Sequence, residues 1–412
     1  MMKFFEKDGI CFCPVNGRLP EGAVPVKEPF DPLVFLVWRD PLVSRGIFAI
    51  TQPWELYERE GIDLFMLPGS RPIQPEAEAY VKERWACVLN TAFARCFDVL
   101  PQFIRPKRKK LRLNTVGLGD VGGTLLTGLV LLDGPVEQLG IFDAYRPLME
   151  RYRLELNQVL PTIPHRAMPK VVTVEASELM DCDVFVFTAS GGVPPVGSEV
   201  QDVRMAQYET NREMVREYAR RARDEDFRGM FCQVSDPVDQ LARYVFLESN
   251  RDEEGRFDFR GLLPEQVRGF GLGVMEARAR FAARERGIDF TYGTVYGPHG
   301  KDLIVVDNPC FGYSDAISRQ LTEAAVSANL AVRELGFKPY IAPGLSSAAI
   351  SIMSMLRGEI HAAAIPIDGA YFGCHGSVTR MGTRMVREML HPTVQQRIIQ
   401  AHKRLKEFPI DG

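Results

Sequence analysis

The stretch "TVGLGDVGGTLL" does most to limit how this chain can fold. It places Gly117-x-Gly119-x-x-Gly122 directly after an apolar run and at the head of a helical one. Glycines at that spacing permit a tight turn, close backbone approach to a pyrophosphate, and tight packing of helix on strand. The helix N-terminus then faces the phosphates. The pattern alone is weak, and its setting supports it. The next apolar run ends in "GIFDAY" and delivers Asp143, where a carboxylate would accept from ribose hydroxyls and repel a 2′-phosphate. That favours NAD over NADP, although Arg146 stands close by.

Six short apolar runs follow one another from residue 111: "LRLNTVGL", "QLGIFDA", "KVVTVEA", "DVFVFTA", "GMFCQVS" and "VRGFGLG", with helical stretches between them. Strands alternating with helices predict a parallel, doubly wound sheet. We therefore expect an α/β chain: a Rossmann-type dinucleotide domain over 109–272, an α+β substrate domain over 273–412, and a small α+β module over 1–108. In that module "PLVFLVW", "GIFAI" and "IDLFML" read as strands. "TQPWELYEREG" reads as a short helix and "QPEAEAYVKERWACVLNTAFARCFDVL" as a long amphipathic one. The basic run Lys107 to Lys110 reads as a solvated linker.

A chain of 412 residues suits two or three domains. Its net charge of −3 gives no global pull towards nucleic acid or an anionic membrane. The apolar runs are too short to span a bilayer, and the first residues lack a signal-peptide core, so a cytoplasmic protein is expected. The 8 cysteines sit mostly in apolar segments. Cys11 and Cys13 form the one close pair and lack further ligands at zinc spacing, so no metal site is expected.

Further motifs stand in a telling order. "VFVFTASGGVPPVG" is followed by "VRMAQYETN", which sets Arg204 seven residues before Asn211. Then come "QVSDPVDQLAR", "YGPHGKD" and "APGLSSAAIS". From about residue 111 onward this order resembles the lactate/malate dehydrogenase superfamily. The resemblance implies a NAD-dependent 2-hydroxy acid dehydrogenase, a homodimer or homotetramer, and a set of roles. His299 would be the acid–base group, because imidazole exchanges protons near neutrality. Arg204 would polarise the carbonyl from a mobile loop. Asn211, Asp236 and Ser346 would line the substrate pocket, and Ala189 would adjoin the cofactor beside Gly117, Gly119, Gly122 and Asp143.

Two departures matter. The family carries Asp-x-x-Arg on a helix, the Asp orienting the histidine and the Arg gripping the substrate carboxylate as a fork. In "VMEARARF", anchored on Phe281, Arg280 takes the arginine position and Ala277 falls where the aspartate belongs. Glu276 shares the face of Arg280; it either reaches His299 or forms a surface pair with that arginine. Arg278 reads as solvated. Asp236 stands where the family has an asparagine, and its charge would oppose a substrate carboxylate. Three functions follow: an active dehydrogenase, an NAD-binding sensor that has lost catalysis, or a cofactor-dependent enzyme of other chemistry, such as imine reduction or an NAD-assisted elimination.

Overall fold

The structure, a computed structural model, describes residues 2–56, 60–65, 79–81, 85–104, 110–160, 168–191, 203–309 and 312–411, without the side chains of 63 and 203–206. Strands β1 (Phe4–Lys7), β2 (Ile10–Pro14), β3 (Val24–Val26), β4 (Leu33–Val37), β5 (Ile47–Ala49) and β6 (Ala86–Asn90) form the N-terminal module with helix α1 (Cys96–Ile104). The Rossmann-type region supplies β7 (Leu111–Val116), α2 (Asp120–Leu131), β8 (Val136–Phe142), α3 (Arg146–Leu156), β9 (Lys170–Thr173) and β10 (Val184–Phe187). It continues with α4 (Val203–Asp224), β11 (Met230–Gln233), α5 (Val238–Ser249) and β12 (Val267–Gly269). The remainder holds α6 (Leu272–Glu285), β13 (Thr294–Tyr296), β14 (Ile304–Val306), α7 (Asp315–Glu334), a π-helical turn (Pro343–Ile350) and α8 (Ser351–Arg357). Strands β15 (His361–Ile367), β16 (Ala370–Thr379) and β17 (Gly382–Met385), then α9 (Pro392–Lys406), complete it.

All six expected strands of the Rossmann-type region form. They lie in the order β12-β11-β10-β7-β8-β9, every neighbouring pair parallel. The Rossmann-type doubly wound sheet is therefore present. Its central strands are continuous apolar runs because helices cover both faces: "VFVF" of β10 is buried at every position. The strand order reverses between β7 and β10, the position at which open sheets of this kind bind ligands.

Among the described residues the sheet does not stop at β12. It passes through the antiparallel β15, β16 and β17, then through a parallel pairing of Thr383 with Phe48 into β5 and the N-terminal strands. A buried polar joint accompanies that seam. Glu265 accepts from the backbone N–H groups of Gly46 and Ile47, and Arg45 bridges Glu55 and Glu60. Burial pushes the Glu265 carboxyl up to about 7, against the pull of the Ile47 N–H and Arg45.

The N-terminal reading needs three corrections. The expected long helix over 74–100 is broken by β6, whose five residues "ACVLN" are all buried between β4 and β5. A short run buried on both faces carries no strand period, so its sequence cannot be told from a buried helix. "IDLFML" holds a 3-10 turn at Ile62–Phe65 in place of a strand. There Phe65 packs on Tyr296 and Phe372, with ring centroids 6.0 and 5.4 Å away. "TQPWELYEREG" forms a 3-10 turn at Pro53–Leu56, with Glu55 accepting from the Thr51 hydroxyl at 2.9 Å.

Candidate active site

The glycine loop joins β7 to α2 at the point where the strand order reverses. Gly117 adopts φ +93°, and a Cβ there would lie 2.5 Å from the Ala189 nitrogen, so loop and β10 end touch backbone to backbone. A Cβ on Gly122 would strike the Gly117 carbonyl oxygen at 2.0 Å. Gly119 is different: a Cβ there would meet nothing within 4 Å. Packing within the protein does not require that glycine, whereas a phosphate approaching the α2 N-terminus would. Gly119 caps α2 without a side-chain hydrogen bond, which leaves the first-turn N–H groups facing the open space. Asp143 follows β8 and accepts from the Leu118 N–H at 2.7 Å and the Tyr145 N–H at 2.9 Å. Its carboxylate thus sits on the loop and keeps lone pairs for a diol. Arg146 is drawn away into an ion pair with Glu175 at 3.0 Å. These residues fit a dinucleotide.

His299 follows β13 and packs on the glycine that caps α6; a Cβ on Gly271 would lie 2.8 Å from that of His299. Two carboxylates hold it. Asp236 Oδ1 stands 2.9 Å from His299 Nδ1, and Asp239 Oδ2 accepts from the His299 backbone N–H at 2.9 Å. Asp236 comes from the turn that leads from β11 into α5, and Asp239 from the first turn of α5. Burial alone would lower the His299 pKa, but the Asp236 charge and hydrogen bond, with help from Asp239, raise it above its ordinary value against Arg278. Burial pushes Asp239 up to about 6, with the His299 N–H opposing. A cavity of about 160 Å³ opens here, lined by His299, Asp236, Arg278, Met275, Gln207 and Asn329 among others. Burial lowers the Arg278 pKa, and the Asp236 charge works against that lowering.

The opposite face of α6 borders a larger cavity of about 880 Å³ that includes Glu276, Ala277, Arg280, Ser346 and His375. Glu276 is the hub of that face. Its Oε1 accepts from Arg280 at 2.7 and 2.9 Å, and its Oε2 lies 2.8 Å from His375 Nε2. Thr294 Oγ1 is 3.2 Å from the other ring nitrogen of His375.

Several expectations change accordingly. Glu276 meets His375 rather than His299, because α6 turns its side chain to the far cavity. The arginine beside His299 is Arg278; Arg280 is bound to Glu276 on the other face. Counting back three residues from Arg278, the residue in the aspartate place is Met275, not Ala277, and its Sδ lies 3.6 Å from Arg278 Nη1. Ser346 lines the larger cavity, while its neighbour Ser347 ties the π-helical turn to the head of α6 through Val274 N–H and the Gly271 carbonyl. Asn211 is fully buried and its amide is spent on the protein: Oδ1 accepts from Gly191 N–H and Nδ2 donates to the Asp236 carbonyl at 2.6 Å. It braces the Asp236 turn instead of lining the pocket. Arg204 lies in the first turn of α4, and its side chain, like residues 192–202, lies outside the described residues. Asp239, Arg278 and Ser347 were missed. Asp239 stood in the quoted "SDPVD" turn, and Arg278 was hidden by anchoring the helix on Phe281.

No family model matches the chain. Curated relatives do. It is 26% identical over 206 residues to the L-lactate dehydrogenase of Mycoplasma pneumoniae, covering 48% of this chain and 59% of that one. It is 29% identical over 199 residues to that of Staphylococcus epidermidis, covering 46% and 55%. The match thus spans somewhat over half the length of these relatives. Among solved structures, the minor L-lactate dehydrogenase of Enterococcus mundtii superposes with a TM-score of 0.58 at 17% identity, covering 72% of this chain and 97% of that one. The malate dehydrogenase of Archaeoglobus fulgidus in complex with NADH gives 0.57 at 17% identity, with the same coverages. Fold, motif order and relatives agree: the chain has the fold of lactate and malate dehydrogenases and is similar in sequence to L-lactate dehydrogenases.

Proposed function

We propose that the chain is an NAD-dependent oxidoreductase that interconverts a small 2-hydroxy acid and its 2-oxo acid. The observation that carries this reading is that one cavity of about 160 Å³ joins an imidazole, His299, to a guanidinium, Arg278. Such a volume holds about five waters' worth of ligand, which suits a short organic acid. Gly117, Gly119, Gly122, Asp143 and Ala189 would hold the dinucleotide. A bound nicotinamide would supply or accept the hydride. Arg278 would grip the substrate carboxylate as a fork, fixing the reacting carbon. His299 Nε2 would give a proton to the carbonyl oxygen during reduction and take it back during oxidation. Arg204 remains the candidate polariser by resemblance.

The test is turnover of NADH with a panel of short 2-oxo acids, repeated with His299→Asn. We expect one or more acids to be reduced, and the variant to lose about 10²–10⁴-fold in kcat. Turnover that survives the substitution sinks the reading. A second reading, an NAD-binding regulator that has lost catalysis, is motivated by Met275 where the family's aspartate belongs. Saturable NADH binding with no turnover on any acid would favour it.

A further inference from the structure

The helix that carries Arg278 offers His299 no carboxylate. Met275 occupies the place three residues before Arg278, and Glu276 is committed to Arg280 and His375 on the other face. An imidazole that exchanges protons through Nε2 needs an acceptor on Nδ1 to fix its tautomer and orientation. That acceptor comes from elsewhere in the fold. We propose that Asp236 is the positioning carboxylate of His299, supplied by the β11–α5 turn in place of α6, and that the pair is set to deliver a proton to the carbonyl of a short 2-oxo acid whose carboxylate Arg278 holds. The proposal rests on the dehydrogenase reading of this site.

Four observations carry it. Asp236 Oδ1 lies 2.9 Å from Nδ1, a good hydrogen bond. The turn bearing Asp236 is braced from below by the buried Asn211 amide, which donates to the Asp236 carbonyl and also fixes the Gly191 N–H. His299 is held at a second point by Asp239, and Gly271 leaves room for its side chain to lie flat against the head of α6. With Nδ1 facing a carboxylate, Nε2 is the nitrogen left to meet a substrate, and His299 lines the small cavity.

Charge favours the donor form. Asp236 and Asp239 face His299 from the β11–α5 segment, and Arg278 faces it from α6. Two carboxylates against one guanidinium outweigh the burial that opposes them, so the charged ring is more favourable here than in an ordinary histidine. The arrangement also answers the objection that a carboxylate at this position repels an acid substrate. Paired with an imidazolium, Asp236 is neutralised, and the Arg278 charge remains for the substrate. His299 Nε2 would give its proton to the carbonyl oxygen as the carbonyl electron pair moves there, a bound reduced nicotinamide supplying the hydride to C2. The balance would then be a 2-hydroxy acid, an oxidised cofactor and a neutral His299 that is reprotonated from solvent.

The experiment compares wild type with Asp236→Asn, Asp236→Glu and the double variant Asp236→Asn/Met275→Asp, all full length. The His299 ring is titrated by NMR without substrate, and kcat and KM for 2-oxo acid reduction are measured across pH. Asp236→Asn should lower the His299 pKa by about one unit or more, the usual effect of removing an adjacent opposite charge. It should cut kcat roughly 100-fold with KM nearly unchanged, the signature of a group acting through the acid–base residue. Asp236→Glu should recover part of kcat. The double variant, which restores a carboxylate from α6, should recover at least about tenfold of what Asp236→Asn lost. Turnover in wild type with an unchanged His299 titration and pH profile in Asp236→Asn overturns this proposal and leaves the dehydrogenase reading standing. Absence of turnover in wild type overturns that reading and the proton delivery with it.

Discussion

Arg278 and Arg280 stand two residues apart on one helix and serve different cavities. Two residues turn an α-helix by about 200°, so one arginine looks at His299 and the other at Glu276 and His375. The His299 face is small, and its imidazole is held by carboxylates from another element. The Glu276 face is broad, and its charges are matched among themselves. On a helix, then, the identity of a functional arginine is a matter of phase. An alignment displaced by two residues keeps every residue type and exchanges the faces.

The sharpest way to break this contrast is to remove each arginine in turn. Arg278→Gln should lower kcat/KM for 2-oxo acid reduction by about 100-fold or more, the loss of roughly 3 kcal/mol expected when one member of a buried charged pair is truncated. Arg280→Gln should change it less than about threefold, since its pair with Glu276 is half exposed. The opposite ranking exchanges the roles of the two faces. The contrast also presumes that a nicotinamide reaches the His299 side. Gly119→Ala tests this, because the open space at that glycine accepts a methyl group without disturbing the fold. NADH affinity measured by fluorescence should fall about tenfold where close backbone approach is blocked, with the melting temperature held.

Smaller in size but opposite in sign are the pH effects. The raised pKa of His299 means that its pairing stabilises the fold fully below the ordinary value of 6.5 and less as pH rises through the folded-state pKa. On the other face burial would raise the Glu276 pKa, but the His375 hydrogen bond and charge, joined by Arg280, lower it. Its contribution is therefore complete above the ordinary value of 4.5 and is lost as pH falls through the folded-state pKa. Urea unfolding of Asp236→Asn should show a deficit against wild type that shrinks above pH 6.5. For Glu276→Gln the deficit, about 1 kcal/mol or less, should shrink below pH 4.5. A deficit independent of pH in both variants contradicts the assigned pairings.

Much of the fold was legible. The six strands of the Rossmann-type region announce themselves because each is a short apolar run bounded by helix-forming or turn residues, and the glycine loop fixes which of them comes first. The N-terminal module was harder. Strand β6 has neither alternation nor helical period, since both of its faces are covered. Within the site, the histidine was found from its glycine neighbours. Its partner was sought on α6, because the family's aspartate comes from that helix, and Asp236 was read as a pocket wall whose charge opposes the substrate.

Sequence by itself determined a doubly wound sheet with a glycine loop after its first strand, and the residue types that make up the two cavities. Local spacing sets strand, turn and helix, and these were written in stretches of a dozen residues. Only the tertiary structure decided which carboxylate meets which histidine. Asp236 and His299 are separated by 63 residues, and Glu276 and His375 by 99. Such pairings depend on the rotation of α6 and on the turn that Asn211 braces, quantities set by packing between elements and not by the order of residues within any one of them.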